Sequence, residues 1–320
     1  MKVSVPSFAK LNLDLRVLYK RPDGYHELRT VFQTISLRDT LSIEFDFAKR
    51  TQIDLDSSVD IPDNLVVRSA KLVLDHLRVK AWVRFVLRKK IPMGAGLGGG
   101  SSNAAAVLLA LPALAGKHIP QADLVRLGES LGSDVPFFLY GGTALGLGRG
   151  AELYPLPDQP SRAALIVTTG IHVSTPEAYR KLNRATHAPT RIHDSNPLTS
   201  SPQSLILGEF QTVAWALDGS GLNQIPLKND FEQAVFGAHP ELAALARKLR
   251  RLGARPALMT GSGSALFGVF PTMAETQAAA ERFPAGTAHP VRFVSRRQYR
   301  NIWSRSLGLQ PGERRSAGKG

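Results

Sequence analysis

The chain has 320 residues, 43% of them hydrophobic, and a formal net charge of +14. A chain of that size buries roughly three quarters of the surface it exposes when unfolded, so one large or two medium domains are expected. It contains no cysteine, which excludes disulfides and thiolate metal sites and points to a reducing cytosol.

The first residues, MKVSVPSFAKLN, hold no apolar run of the signal-peptide kind. The longest apolar stretch, residues 104–115, falls short of the roughly 20 residues that span a bilayer. A soluble, cytoplasmic protein is expected. Residues 3–18 alternate well enough for a pair of strands, and LSIEFDF within 41–55 is a second period-2 run. Apolar side chains at 65, 66, 70, 72, 73 and 77 have the spacing of an amphipathic helix over 65–77. A half-exposed strand at 81–91 carries Arg84, Arg88, Lys89 and Lys90, and runs into PMGAGLGGGSS at 92–102. A helix at 102–114, ending near Pro112 and Gly116, and a helix at 121–131 closed by Gly132 follow. GGTALGLGRG (141–150) reads as a Gly-rich turn and PLPDQPS (155–161) as a linker. Beyond it, AALIVTTG and ALFGVF read as strands and 239–254 as a strong helix. Residues 183–225 are polar, contain Pro and Ser, and match no pattern. The fold class is α+β in two domains, 1–157 and 158–300, with 301–320 a basic, disordered tail.

Residues 92–102 carry five glycines in eleven positions. Glycine lets the backbone take left-handed conformations and approach a ligand closely. Ser101 or Ser102 can cap the helix that follows, whose first N–H groups then face the loop and make an anion site suited to phosphate. Gly94-x-Gly96-x-x-Gly99 formally matches a dinucleotide fingerprint, but that fold needs a buried apolar strand just before the glycines. No Lys-Ser or Lys-Thr closes the loop as in a Walker motif, and no HRD or DFG segment follows as in a protein kinase. A flexible hinge would not feed directly into a capped apolar helix. The loop therefore points to a phosphate-handling enzyme.

The pattern resembles the GHMP kinase superfamily, whose nucleotide loop has Pro92, Gly96, Leu97, Gly98 and the Ser101-Ser102 pair at matching places, with one extra glycine. PSFAKLNLDL (6–15) is similar to the superfamily's first motif and MTGSGSALFGVF (259–270) to its third, so three ordered motifs span most of the chain. RPDGYHELRTVFQTISLRDTL (21–41), DNLVVRSA (63–70), GSDVPFFLYGG (132–142) and KNDFE (228–232) resemble the branch that phosphorylates the 2-hydroxyl of 4-diphosphocytidyl-2-C-methyl-D-erythritol in the non-mevalonate route to isoprenoids. The resemblance implies a two-lobed fold, with an N-terminal lobe like ribosomal S5 domain 2, a ferredoxin-like α/β sandwich as C-terminal lobe, and the active cleft between them. It also implies ATP and Mg²⁺ as cofactors and a cytidine diphosphate alcohol as small-molecule substrate.

Roles follow from the same resemblance. Asp134 is the general base. Its neighbours Pro136, Phe137 and Phe138 are expected to desolvate it partly and raise its basicity, although an Asp before a helix is also an ordinary cap. Lys10, alone in an apolar strand, pairs with Asp134 and neutralises the reacting oxygen; a lysine on an edge strand facing water is the plainer reading. Asn12, two residues on, projects from the same strand face and contacts substrate. Tyr25 and His26 offer a ring face and an imidazole to cytosine, with Tyr179 on the opposite face of the base or merely exposed on a helix. The nucleotide side comprises Asn64, Pro92, Met93, Gly94, Ala95, Gly96, Leu97, Gly98, Gly99, Gly100, Ser101 and Ser102. Gly261, Ser262, Gly263 and Ser264 close the cleft near the acceptor phosphates. The histidines show no metal-ligand spacing, so no protein metal cage is expected.

The last 25 residues hold seven Lys/Arg and one Glu, a net +6, and the remaining excess is diffuse. Diffuse positive charge suits an enzyme with two polyphosphate substrates. No nucleic-acid or membrane partner is expected, and the protein is expected to be a monomer or weak homodimer. The alternatives are another small-molecule kinase of the superfamily, or a basic RNA-binding protein on a related fold.

Overall fold

The computed structural model describes residues 1–182 and 227–308. Two long strands, β1 (Lys2–Lys20) and β2 (His26–Phe47), pair antiparallel along their whole length. β2 also pairs with β4 (Ala81–Arg88) through residues 40–47 and with β5 (Thr143–Gly148) through residues 28–33. β3 (Gln52–Ser57) runs parallel to β4, and β6 (Glu152–Pro155) borders β5. These six strands form the first sheet. The second, in the order β10-β7-β9-β8, is built from β7 (Ala163–Val167), β8 (Ala257–Met259), β9 (Leu266–Phe270) and β10 (Ala288–Arg292).

Against the first sheet lie α1 (Leu65–Leu77), α2 (Gly99–Leu114), α3 (Gln121–Leu131) and α4 (Val135–Tyr140). α5 (Thr175–Lys181), α6 (Phe231–Ala238), α7 (Pro240–Arg251) and α8 (Met273–Ala280) belong with the second. α1 starts where Asn64 accepts the N–H of Val66, and its buried positions 66, 70, 73, 74 and 77 recur at helical spacing. The last of the described helices, α9 (Arg296–Ser306), opens on a Ser295–Gln298 capping box.

Three apolar clusters stack through the molecule. The first joins the first sheet to α1–α4 and contains Phe8, Phe45, Phe85, Phe137 and Phe138. Each such side chain contributes roughly 1.5–3 kcal/mol on burial. The second lies between the sheets, with Leu11, Leu13 and Val31 on one side and Ile166, Phe267 and Phe293 on the other. The third sits under the second sheet and its helices. β1 is therefore buried on both faces from Val5 to Leu15. Among the described residues, no helix is long and apolar enough to cross a membrane.

Several sequence expectations change. Residues 3–18 are one strand, because its hairpin partner lies at 26–47 and the turn falls at residues 21–25. LSIEFDF is the far end of β2. The Gly-rich stretch at 141–150 contains β5, whose Gly146 sits so close to Phe32 that a Cβ would lie 2.7 Å from the ring. α2 begins at Gly99, three residues early, and runs through Pro112 to Leu114. Residues 301–306 are helical, so the basic end is ordered at least to Gly308, and residues 309–320 lie outside the described part. Residues 183–226 lie outside it as well.

α9 follows the second sheet in sequence yet packs on the first, where Val294, Tyr299 and Trp303 join the first cluster and the Tyr299 hydroxyl donates to Phe138 O. Trp303→Ala should therefore cost about 3–5 kcal/mol, read as a lower urea midpoint. An unchanged midpoint would show that the helix only rests on the lobe.

Candidate active site

Strand β1 delivers Lys10 and Asn12 to the seam between the lobes. A register irregularity falls between Asn12 and Asp14, and bulges of this kind re-aim side chains next to functional sites. Lys10 is buried, at 3% exposure. Its Nζ donates to Asn12 Oδ1 at 2.6 Å and pairs with Asp134 Oδ2 at 3.3 Å. The Phe32 ring lies 5.4 Å from the ammonium. A buried ammonium is costly unless paired and hydrogen-bonded, and here both conditions hold. Lys10 is not a water-facing edge lysine.

Asn12 is fixed on every side. Its Nδ2 donates to Thr30 Oγ1 at 2.7 Å, and Thr30 donates in turn to the Asp14 carbonyl at 2.8 Å. Its backbone N–H donates to Thr260 Oγ1 at 3.0 Å. A residue of the second lobe thus helps orient the pair that faces Asp134. Thr30 and Thr260 have no counterpart among the sequence-derived candidates, because isolated threonines in strands carry no spacing signal.

Asp134 stands at the start of α4 but makes no side-chain cap. The capping alternative therefore fails, and the carboxylate, about one-third exposed, is directed to Lys10. Phe137 and Phe138 behind it are fully buried.

The glycine loop meets this group directly. The Lys10 N–H donates to Leu97 O at 3.0 Å, so the strand that bears the lysine also holds the loop. Gly98, at φ +71°, is the residue before α2, and a Cβ there would lie 2.8 Å from Phe138 Cζ and 3.1 Å from Lys10 Cγ. No side chain caps α2. Ser101 and Ser102 lie inside its first turn, which corrects the expectation that one of them is the cap. The helix thus opens with N–H groups and a positive dipole end free for an anion. Ser102 Oγ and Asn64 Nδ2 are buried without hydrogen-bond partners, an unusual state for polar atoms and one that a nucleotide's oxygens and nitrogens would relieve. The start of α1 is adjacent, since a Cβ on Gly100 would lie 3.6 Å from Leu65 Cδ1. In the loop itself Met93 is exposed, while Ala95 and Leu97 are buried.

The Gly261–Ser264 loop packs on the loop 92–102. A Cβ on Gly96 would lie 2.2 Å from Thr260 O, and one on Gly263 would lie 2.6 Å from Ala95 C. Ser262 Oγ is 2.7 Å from Thr175 Oγ1, at the start of α5.

The aromatic candidates separate into two groups. His26 stacks on Tyr179 with ring centroids 4.7 Å apart and planes 23° apart, and Tyr179 meets Phe231 edge-on at 4.8 Å. Burial, helped by the charge of Asp134, pushes the Tyr179 phenol up to about 12, and the half-buried ring rules out an exposed helix tyrosine. Burial and the positive charge of Lys20 hold the His26 imidazole below the usual histidine value. Tyr25 is exposed at the hairpin turn, with the Arg149 guanidinium 3.6 Å above its ring. Arg149 also pairs with Asp23 at 3.0 Å. Among the described residues, no group of three or more His, Asp or Glu could hold a metal ion.

Gly96→Ala should lower the urea midpoint, because the left-handed backbone and the close carbonyl together cost about 1–3 kcal/mol, and it should weaken ATP binding in a calorimetric titration. Retention of both values would show that the two loops separate freely.

Comparison with known proteins gives a consistent result. The family model for the GHMP kinases N terminal domain matches residues 64–142, and that for GHMP kinases C terminal matches residues 207–286. A relative from Solibacter usitatus, a 4-diphosphocytidyl-2-C-methyl-D-erythritol kinase, is 52% identical over 301 residues, 94% of this chain and 92% of that protein. A solved structure of 4-(cytidine 5'-diphospho)-2C-methyl-D-erythritol kinase superposes with a TM-score of 0.73 at 36% identity, covering 91% of this chain and 98% of that one. A homoserine kinase from Cytophaga hutchinsonii shares the fold at a TM-score of 0.64 and 19% identity, over 92% of this chain and 95% of its own.

Proposed function

The chain belongs to the 4-diphosphocytidyl-2-C-methyl-D-erythritol kinases, a branch of the GHMP kinases, and from that premise we propose how its own residues perform the reaction. The enzyme transfers the γ-phosphoryl group of ATP to the 2-hydroxyl of 4-diphosphocytidyl-2-C-methyl-D-erythritol, in the non-mevalonate route to isoprenoid precursors. The observation that carries the residue assignment is the pairing of the buried Lys10 with Asp134, bonded through the Lys10 backbone to the glycine loop.

Phosphoryl transfer asks the protein for alignment and charge neutralisation more than for covalent chemistry. The acceptor oxygen forms its bond to the γ-phosphorus while its proton passes to the Asp134 carboxylate. The bond from that phosphorus to the bridging oxygen breaks, and ADP leaves. Lys10 offsets the charge that develops on the attacking oxygen, and Asn12 keeps the ammonium in place. The open start of α2 receives the nucleotide phosphates, with Asn64 and the loop 92–102 as its walls. Mg²⁺ bound with ATP supplies further neutralisation at the phosphates, and Ser101 and Ser102 are the hydroxyls at hand for it. His26 and Tyr179, stacked on each other, offer the acceptor base a ring face and an imidazole. Tyr25, steadied by Arg149, is the second ring for that base. The first lobe, 1–157, then serves as ATP-binding domain and the second, 158–300, completes the acceptor side. The enzyme acts as a cytoplasmic monomer or weak homodimer, without nucleic acid.

ADP release should be seen with Mg-ATP and the cytidyl alcohol, and not with mevalonate or homoserine in its place. Asp134→Asn should lower kcat by about 10²–10⁴ and leave KM for ATP unchanged. Near wild-type turnover in that variant would exclude Asp134 as the base. Turnover with another alcohol would discard the roles given to Tyr25, His26 and Tyr179.

A further inference from the structure

Asp39, on β2, has no exposed surface and takes no part in the chemistry above. Its carboxylate accepts four hydrogen bonds. Oδ1 accepts the backbone N–H of Lys90 at 2.7 Å and that of Ile91 at 2.8 Å. Oδ2 accepts Lys89 Nζ at 2.5 Å and Asn103 Nδ2 at 3.0 Å. Lys89 Nζ, almost as buried, donates also to Asn103 Oδ1 at 3.0 Å. Each of the three side chains therefore bonds both of the others.

The partners lie at the two ends of one loop. Residues 89–91 lead directly into Pro92, and Asn103 sits in the second turn of α2. One carboxylate thus grips the glycine loop at its entrance and its exit. The knot also touches the first helical residue, since a Cβ on Gly99 would lie 3.1 Å from Lys89 Nζ and 3.0 Å from Ile91 Cγ2. For stability alone such a pair is a poor device, because desolvating two charges consumes most of what their attraction returns. Four directional bonds do what an apolar pair cannot: they fix the distance between the chain entering the loop and the helix leaving it.

We propose that Asp39, with Lys89 and Asn103, is the positioning device of the nucleotide loop. It holds the start of α2 where its N–H groups converge on the phosphates of ATP, so ATP affinity depends on it and acceptor binding does not. The proposal rests on 92–102 being the ATP site, and a misplacement of about 1 Å at such a site can cost about a hundredfold.

The test uses the full chain, with three readouts: calorimetric titration with Mg-ATP and no acceptor, KM for each substrate, and the urea midpoint. Asp39→Asn should raise the Kd for ATP by about ten- to hundredfold and leave the acceptor KM unchanged. Adding Asn103→Asp returns the negative charge to the other partner of Lys89, and should recover most of the ATP affinity. An unchanged Kd for ATP alongside a fallen midpoint would overturn the proposal, as would equal losses for both substrates. So would a double variant that regains the midpoint but not the affinity. If Asp39→Asn does not fold, Asn103→Ala removes only the exit grip and leaves Asp39 paired with Lys89. Weakened ATP binding with an intact acceptor KM then supports the proposal, and unchanged ATP binding overturns it. Wild type that binds no ATP in the titration would remove the premise itself, a result separate from any effect of Asp39.

Discussion

A single ammonium group organises this molecule. Lys10 is buried in the middle of a strand that is covered on both faces, and a charge in that position must be met by oriented partners. Asn12 and Asp134 meet it, and each of them is held by something else. Asn12 is held by Thr30 from the first sheet and Thr260 from the second lobe. Asp134 is held by α4, whose two phenylalanines are locked in the first core. The backbone of Lys10 holds the glycine loop. Glycine loop, Asp134 and lobe seam thus converge on one residue of the chain.

The lobes share an apolar layer, and that layer explains how the site keeps its geometry. Leu11 and Leu13 reach across to Phe267 and Phe293. The KNDFE segment then covers the far edge of β1: Leu15 bonds Lys228 and Asp230 through the backbone, while the Asn229 amide donates to Met259 O and Gly261 O at 2.8 Å each. The third Gly/Ser loop is consequently anchored to the strand that carries Lys10. The cleft is bounded by two glycine-containing loops that touch at Gly96 and Gly263, where any side chain would force them apart.

The sequence made some of this legible and hid the rest for definable reasons. The helices at 65–77 and 121–131 were readable because their apolar spacing and end residues agree. Lys10, Asp134 and the loop 92–102 stood out as a lone charge in a strand, an Asp before an aromatic run, and a concentration of glycine. The long hairpin was obscured because its register shifts at Phe8/Ala9 and Asn12/Asp14 break the two-residue period. The start of α2 was obscured because Gly99 and Gly100 have low helix propensity, and packing against Ile91 and Leu65 overrides it. Asp39 looked like an ordinary polar residue in LRDT. Only the tertiary approach of 89–91 and 103 to one carboxylate gives it a meaning. The pairing of His26 with Tyr179 was equally out of reach, being a contact between residues far apart in the chain.

The placement of α9 bears on the order in which the protein is made. The first lobe's core closes on Tyr299 and Trp303, which follow the whole second sheet in sequence. The strands and helices of the second lobe lie between, and its sheet is complete at Arg292. On a ribosome, domains generally fold as units from the N-terminal end, and here that order is inverted. The N-terminal lobe has to wait, with its aromatic core uncovered beside α4, until the strands of the second lobe have been made. The lobe that carries Lys10 and Asp134 is thus sealed by a helix made only after the second sheet.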